Sequence, residues 1–384
     1  MNIFLRMNTV LVIVSIFLTG CWSHYELTDL VFVMGLAIDT KQDGTVQITT
    51  QYYKPKGEKS SSQSIGNASF NVISTGDSVL PAIRNITGEL GRRSQWSHMR
   101  VILISEETAR RANIGELLDI FYRDPEPRLT ASIMITKGNA QSYLEKIPTI
   151  EQTSSQQIMR SKEALYKYAA RTVDSNLFNL GKQLRDKTGN AVISYVIPSQ
   201  EKGFKVSGSA LFKKERMVDK LTGDENDGYL MLTNRYNYGL IEVPCGNSSE
   251  NKQKTETLEV TDFSSNLDYQ FVNDKLVVSV KAMAKGSARE LKCTNFKSVD
   301  AETAFVKKTE EIIVDQMKQT FENLQEKKLD IFLIANRVYQ NNESLWNKIE
   351  SEWEDYFSHA SFDARVTLNL ENTGTSAGKP VFSK

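Results

Sequence analysis

The sequence predicts an α+β protein of three small α/β domains, with sheets that are antiparallel or mixed. Three observations support this fold class. Runs of β-branched and aromatic residues alternate with short polar turns, which is typical of strands paired in hairpins. Other stretches repeat apolar residues at helical spacing, most clearly over 300–325. At 384 residues and 40% hydrophobic composition, the chain is too long for one average domain and apolar enough for several cores.

The first 20 residues have the pattern of an export signal. Arg6 supplies a positive charge, and the apolar run at 9–18 is too short to cross a bilayer core of about 30 Å as a helix. The run ends in LTGC (18–21), an order of apolar, small, small and Cys that resembles the bacterial lipobox. It predicts cleavage between Gly20 and Cys21 and acylation of the Cys21 thiol, with two acyl chains sufficient for stable anchoring. An ordinary signal peptide that contains a cysteine, or a buried N-terminal helix, is the alternative.

The amino-terminal region, 21–200, is predicted to mix strands and helices. Strand-like runs rich in β-branched and aromatic residues lie at 30–39, 44–53, 68–74, 99–104, 128–138 and 191–198. Thr75 is expected to cap a helix, and Ser105 and Asn113 to begin two short ones. The Ser-rich stretch at 54–67 is predicted to be a loop. Two further helices are predicted at 154–170 and 175–187.

The carboxyl-terminal region, 201–384, is also predicted to be α+β, with subdomains at about 201–260 and 261–384. Two hairpins are predicted at 203–223 and 267–286, the second turning at Asn273 and Asp274. The remaining elements are a short helix, a strand, two long helices and a closing strand, at 224–234, 239–245, 300–325, 343–358 and 362–374.

The charge balance narrows the classes of function. Lys plus Arg and Asp plus Glu each number 47, so the chain has no net basic field and its composition gives no support for nucleic-acid binding. After the signal, no apolar run approaches 18 residues, so a second membrane span is not predicted. These observations predict a folded extracytoplasmic body that is tethered to a lipid bilayer through Cys21.

Two cysteines, Cys245 and Cys293, are left once Cys21 is assigned to acylation. Both lie in strand-like contexts, and in an exported protein such a pair can form a disulfide. The alternative is two separate small hydrophobic residues. Sequence spacing does not decide between them, because a disulfide requires Cα atoms within about 7 Å of each other.

Five stretches resemble the Ger(x)C family, the lipoprotein C subunits of nutrient germinant receptors in endospore-forming bacteria. In chain order they are LTGCWSHYELTDLVFVMGLAID (18–39), SHMRVILISEETA (97–109), LLDIFYRDPEPRLTASIMITKG (117–138), VSGSALFKKERMVDKLTG (206–223) and LDIFLIANRVYQNNESLWNKIESEWEDYF (329–357). The resemblance covers nearly the whole chain after Cys21. One departure is DIFLIAN (330–336), where the family pattern is Asp-Ile-Phe-Gly-Phe-Gly. Here Leu333 replaces a glycine, which leaves open any backbone role of that glycine.

The resemblance implies a three-domain, non-enzymatic lipoprotein on the outer leaflet of the spore inner membrane. It implies that such a protein works in germination in response to nutrients, together with two integral membrane subunits, A and B. No cofactor is implied. The germinant, the stoichiometry and the surface that binds A and B do not follow from it.

No catalytic or metal-binding cluster is predicted. The three histidines are His24, His98 and His359, and only His359 has a carboxylate at helical ligand spacing, from Asp355. A metal site needs three or four ligands, so this pair is insufficient. The sequence contains no Gly-rich phosphate loop.

RDPEPR at 123–128 is the most concentrated charged motif. Its charged residues, Arg123, Asp124, Glu126 and Arg128, form a candidate partner-docking surface. Alternatively, the two prolines end a helix and the charges form local ion pairs around a rigid turn. A helix followed by Pro-x-Pro and a strand favours this structural interpretation, and docking is kept as a hypothesis.

Two other functions are alternatives to a receptor subunit. A solute-binding lipoprotein of a transporter usually has repeated βα units in two lobes, and the present order of hairpins and long helices fits that poorly. A membrane-anchored cell-wall hydrolase would require a catalytic carboxylate pair in a cleft, and no spacing in the sequence marks one.

Overall fold

The computed structural model describes residues 3–4, 7–8, 25–54, 68–200, 203–245, 254–296 and 298–372. Their strands form two sheets, one mixed and large, the other smaller, with helices packed on both. The predicted α+β class is therefore confirmed. Gly20, Cys21, most of the predicted signal and nearly all of the predicted loop at 54–67 lie outside the described residues.

The larger sheet contains the strands of the amino-terminal region and the first hairpin of the carboxyl-terminal one. The strands are β1 (Leu30–Thr40), β2 (Val46–Tyr53), β3 (Ser69–Gly76), β4 (Arg93–Gln95), β5 (Val101–Ser105), β6 (Ser132–Thr136), β7 (Ala191–Ile197), β8 (Lys205–Lys213) and β9 (Arg216–Leu221). Their order is β3-β2-β1-β5-β6-β7-β8-β9, with β4 beside the start of β1. The central strands β1, β5, β6 and β7 are parallel, and the flanking hairpins are antiparallel.

Helices cover both faces of this sheet. They are α1 (Val79–Leu90), α2 (Glu106–Arg111), α3 (Ile114–Arg123), α4 (Gln141–Leu144), α5 (Ser154–Ala169) and α6 (Leu177–Leu184). Successive side chains of β1 point to opposite faces of the sheet. Leu36 is therefore buried beneath α1, α3 and α6, and Ala37 beneath α4 and α5. Parallel strands require this double cover, because both of their faces are apolar.

The smaller sheet has β10 (Gly239–Pro244), β11 (Thr255–Val272), β12 (Lys275–Glu290) and β13 (Ser361–Asn372) in that order. Its helices are α7 (Gly223–Leu232), α8 (Val299–Glu326), α9 (Ile334–Asn341), α10 (Glu343–Ile349) and α11 (Trp353–Ser358). The hairpin of β11 and β12 turns at Asn273 and Asp274 as predicted, with φ angles of 51° and 59°. Alternate residues of β11 and β12, such as Val260 and Val280, are buried beneath the helices.

The two sheets share a core. Val192, Leu211 and Leu221 of the larger sheet belong to the same buried cluster as α7, α8 and the inner face of the smaller sheet. Ion pairs cross the junction, from Lys213 to Glu354 at 2.7 Å and from Lys327 to Asp219 at 3.2 Å. The larger-sheet body (β1–β9 with α1–α6) and the smaller-sheet body (β10–β13 with α7–α11) are therefore packed against each other through one core.

The predicted domain boundaries are not tested by this arrangement and stay predictions. The larger sheet continues across position 200, because β8 pairs with β7. Position 260 lies inside β11, which is continuous from Thr255 to Val272.

Several predicted helix limits were wrong. Helix α1 is preceded by Ser78 and not by Thr75, because Thr75 is still in β3 and pairs with Gln47. The helix expected over 343–358 is divided into α10 and α11 by a 3₁₀ turn at Glu350–Glu352. Helix α9 was not predicted at all, because its N-cap residue is Leu333 and not a residue with a capping side chain.

Asp330, three residues before the N-cap Leu333, supplies the missing cap of α9. Its carboxylate, 2% exposed, accepts hydrogen bonds from the N–H groups of Phe332, Ile334 and Ala335. Its carbonyl oxygen accepts bonds from the Thr188 hydroxyl and the Asn190 amide of the larger-sheet body. Burial raises the pKa of Asp330 to about 6, against the opposing effect of the three N–H bonds. Asp330 thus links the start of α9 to the junction.

We expect Leu333→Gly to be more stable than Leu333→Ala by about 1 kcal/mol, because the left-handed backbone at φ 62° disfavours any side chain. The comparison with Ala removes the effect of lost side-chain burial. Urea unfolding of the two variants measures the difference. Leu80, similarly exposed but inside α1, is the matched control, and there Gly should be less stable than Ala by about 1 kcal/mol. The same sign at both positions would contradict the strain at Leu333.

The raised pKa of Asp330 predicts a pH dependence of stability. Between the usual Asp value of 3.8 and about 6, the folded chain holds more protons at this carboxyl than the unfolded chain. Stability from this group is therefore complete below pH 4 and lost as the pH rises to 6. Relative to Asp330→Asn, the wild type should lose about 3 kcal/mol of unfolding free energy over this window.

Urea unfolding at a series of pH values measures this difference. Asp355→Asn is the control, because a hydrogen bond from Lys328 lowers the pKa of that exposed carboxyl. Relative to Asp355→Asn, the wild type should gain unfolding free energy as the pH rises. This change has the opposite sign to the one expected for Asp330. A flat difference for Asp330→Asn would show that burial does not perturb this carboxyl.

Candidate functional site

The chain enters the larger sheet beside the RDPEPR turn. Tyr25 is the first described residue after Cys21, and the guanidinium of Arg93 lies 4.6 Å from the centre of its ring. The same guanidinium lies 3.7 Å from a carboxylate oxygen of Glu126. The segment that follows the predicted acylation site is thus in contact with β4, and through it with the charged turn.

Most of the charges of the turn are engaged locally. Arg123 pairs with Asp119 one helical turn earlier in α3, and the carboxylate of Asp124 accepts the N–H of Glu126 at 2.9 Å. Pro127 is buried, while Arg128 is exposed. This geometry is that of a rigid connection between α3 and β6. The partner-docking role of the motif stays a prediction.

Cys245 at the end of β10 and Cys293 after β12 are bonded to each other, with their sulfur atoms 2.06 Å apart and their Cα atoms 5.7 Å apart. Beside them, the Glu256 carboxylate accepts the N–H groups of Lys292, Cys293 and Thr294. Burial acts to raise the pKa of Glu256, but these bonds and the Thr294 hydroxyl hold it below its usual value. The carboxylate and the disulfide together fix the segment that follows β12.

Cys245, Glu256 and Cys293 also form the single metal-like group of three ligand residues found among the described parts of the chain. Since the two sulfur atoms are bonded to each other, neither is available as a thiolate ligand. The group is therefore a structural unit in this conformation. Sequence spacing suggested the two cysteines, but nothing in it indicated Glu256.

One buried acid was not suggested by the sequence. Asp227 on α7 is 2% exposed, and burial raises its pKa to about 8, although Arg171 lies 3.7 Å away and acts in the opposite direction. Its neighbour Asp224 is on the surface and pairs with the same guanidinium at 2.8 Å. A carboxyl this deeply buried does not present a proton to a substrate. Its position instead indicates a role within the junction of the two sheets.

A groove of about 490 Å³ lies at the carboxyl ends of the parallel strands, between α2 and the loop after β6. This is the usual ligand-binding end of a parallel sheet. Its charges are balanced internally, since Glu106 pairs with Arg110 and Glu107 with Arg111. Asp39 accepts the N–H groups of Ala140 and Gln141 at the start of α4. The geometry assigns no ligand class to this groove.

A second groove, of about 430 Å³, lies at the opposite, amino-terminal end of these strands, where the two bodies meet. Its apolar lining includes Leu129, Phe178 and Leu333, which are 40%, 54% and 36% exposed. Basic side chains from both bodies surround that lining, namely Lys182, Arg185 and Arg235. Exposed apolar and cationic side chains therefore lie together in this groove.

No helix in the described part of the chain is both long and apolar enough to cross a membrane. The comparisons with known proteins agree with the sequence resemblance. Residues 23–198 match the family described as "Spore germination protein N-terminal domain". Residues 207–374 match that described as "Spore germination B3/ GerAC like, C-terminal".

Relatives match over almost their whole length. Spore germination protein B3 of Bacillus subtilis (strain 168) is 25% identical over 373 residues, which is 93% of this chain and 95% of that protein. Spore germination protein KC of the same organism is 22% identical over 391 residues, covering 95% of each. The crystal structure of the GerBC protein shares the fold, with a TM-score of 0.58 and 20% identity over 88% of this chain and 97% of that one. The chain belongs to the Ger(x)C family of spore germination proteins.

Proposed function

We propose that this chain is the lipid-anchored, non-enzymatic C subunit of a nutrient germinant receptor. It acts by assembling with integral membrane A and B subunits, on the outer leaflet of the spore inner membrane. The observation that carries the proposal is the full-length match to spore germination proteins, together with LTGC at 18–21. The matched segments, 23–198 and 207–374, also support a domain boundary near position 200.

The packing of the two sheets supports an assembly role over solute binding. A two-lobed binding protein closes about a hinge, with its ligand between lobes that separate. Here Val192, Leu211 and Leu221 of the larger sheet are buried in one cluster with the smaller sheet. Separating the bodies would expose this apolar surface, so the arrangement favours a rigid scaffold over a hinged trap.

The buried carboxyls give no support to the cell-wall hydrolase alternative. A glycosidase places two carboxyl groups about 5 to 10 Å apart on either side of a substrate cleft. Asp227 and Asp330, whose pKa values are raised to about 8 and about 6, are each 2% exposed. Their environments are explained by the junction and by the cap of α9.

The anchor is tested by Cys21→Ala in the full-length chain, expressed in spores. The variant lacks the thiol that would be acylated, so we expect it to leave the membrane fraction and to lower nutrient-triggered germination. Fractionation of spore membranes and a nutrient-triggered germination assay measure these two effects. Intact-mass analysis of the protein extracted from membranes tests the acylation itself. The wild type should begin at Cys21 and carry a diacylglyceryl mass.

Thr19→Ala is the matched control, because it keeps a small residue before the cleavage site. It should fractionate with the membrane like the wild type. A Cys21→Ala protein that stays membrane-bound and supports full germination would remove the anchor from the proposal. Loss of germination without loss of membrane binding would instead assign Cys21 a role other than anchoring.

A further inference from the structure

We propose that one edge of the larger sheet rests directly on an anionic lipid bilayer and binds its headgroups. This basic-aromatic edge consists of Tyr25, Arg93, Leu129, Phe178, Lys182 and Arg185. The position of the bilayer rests on the proposed function, which places the anchor at Cys21. The chemistry of the edge is a separate observation, so the two are tested separately.

The topology brings these residues to one side of the molecule. The strands β1, β5, β6 and β7 are parallel, so their amino ends meet at the same edge. Tyr25 precedes β1, Leu129 precedes β6, and α6 with Phe178 and Lys182 leads towards β7. The N–H of Phe178 donates to the carbonyl of Leu129 at 2.9 Å, which joins the two apolar side chains in one surface.

The length of the chain limits which edge can face the membrane. Cys21 is four residues before Tyr25, and four extended residues span at most ~14 Å. Strand β1, which begins at Leu30, has 11 residues and is about 36 Å long. An anchored Cys21 therefore holds the amino ends of the strands close to the bilayer, while the carboxyl ends with their paired charges lie on the far side.

The side chains at this edge match an interface between lipid and water. Leu129 and Phe178, which line one groove, are 40% and 54% exposed, and Tyr25, at the start of the described chain on the same edge, is 52% exposed. Aromatic rings of this kind are enriched at headgroup depth. The ammonium of Lys182 lies 5.6 Å from the centre of the Phe178 ring, so a cation and an exposed aromatic ring are adjacent on this surface.

The charges at the edge favour anionic over zwitterionic lipid. Lys182 and Arg185 are exposed on and just after α6, and Arg235 of the second body faces the same groove. Acidic groups are present too: Glu126 lies against Arg93, and Asp186 is half-buried with a hydrogen bond from Thr188. Glu26 and Asp29 are exposed beside Tyr25, so the excess of basic charge lies at the α6 end of the edge. Exposed basic side chains close to a surface are attracted to anionic headgroups, and salt weakens that attraction.

The test uses the purified, unacylated chain that begins at position 21 and carries Cys21→Ser, so that neither acyl chains nor the apolar run at 9–18 can bind lipid. Binding is measured by sedimentation with vesicles. The probes are vesicles of phosphatidylcholine alone and of phosphatidylcholine with phosphatidylglycerol. We expect binding to the anionic vesicles, little binding to the zwitterionic ones, and loss of binding at high salt. Because both side chains are exposed, the double variant Lys182→Glu/Arg185→Glu should fold normally and bind at least about tenfold more weakly.

Lys281→Glu/Arg365→Glu is the matched control, since it reverses one exposed lysine and one exposed arginine that are cross-strand partners on β12 and β13. It should bind anionic vesicles like the parent. Thermal unfolding of each variant checks that the fold is intact. Phe178→Ser should also weaken binding, because it removes the exposed ring and keeps both charges.

Three outcomes would overturn the proposal. They are no binding of the parent to anionic vesicles, equal binding to both kinds of vesicle, and equal losses in the double variant and its control. If the double variant instead lost co-purification with membrane subunits while the parent ignored vesicles, the edge would be a protein-binding surface. None of these outcomes affects the anchor, because the acylated Lys182→Glu/Arg185→Glu chain would still be held in the membrane fraction through Cys21.

Discussion

The parallel pairing of β1, β5, β6 and β7 is the constraint on which the rest of the structure depends. Strands paired in this way are apolar on both faces, so both faces must be covered. That requirement places α1, α3 and α6 on one side of the sheet and α4 and α5 on the other. It also brings the amino ends of all four strands to one edge. The position of the basic-aromatic edge is therefore a consequence of how the strands pair.

The second consequence concerns how the two sheets are held together. At the β7–β9 side of the larger sheet, the sheet's own helices do not bury every apolar residue. Val192, Leu211 and Leu221 are buried there in one cluster with the residues of the smaller sheet. The smaller sheet in turn has helices on only one face, as an antiparallel arrangement allows. The dependence is mutual, because each body completes the burial of the other.

Buried carboxyls hold the irregular segments of the smaller body. Asp330 receives three N–H groups at the start of α9, and Glu256 receives three more after β12. In both cases the backbone donors have no partner in a regular ladder or helix, and a carboxylate has enough acceptor capacity to bind several of them. The pKa of Asp330 rises because its burial outweighs these bonds, while that of Glu256 falls because they outweigh its burial. Leaving such donors unpaired in the interior would be costly, and this gives both acids a structural role.

The sequence by itself determined the α+β class, most strands and the turn at Asn273 and Asp274, because these depend on local patterns of apolar residues and on turn chemistry. It also indicated the Ger(x)C family, through stretches that keep their order along the chain. The tertiary structure alone decided the shared core, the proximity of Cys245 and Cys293, and the groups around Asp227 and Glu256. Helix α9 was missed for the same reason, since its cap comes from Asp330 across a turn with Leu333 in a left-handed conformation. These features join residues that are distant in the chain or held in a backbone conformation that their type disfavours, and a local pattern carries no information about either.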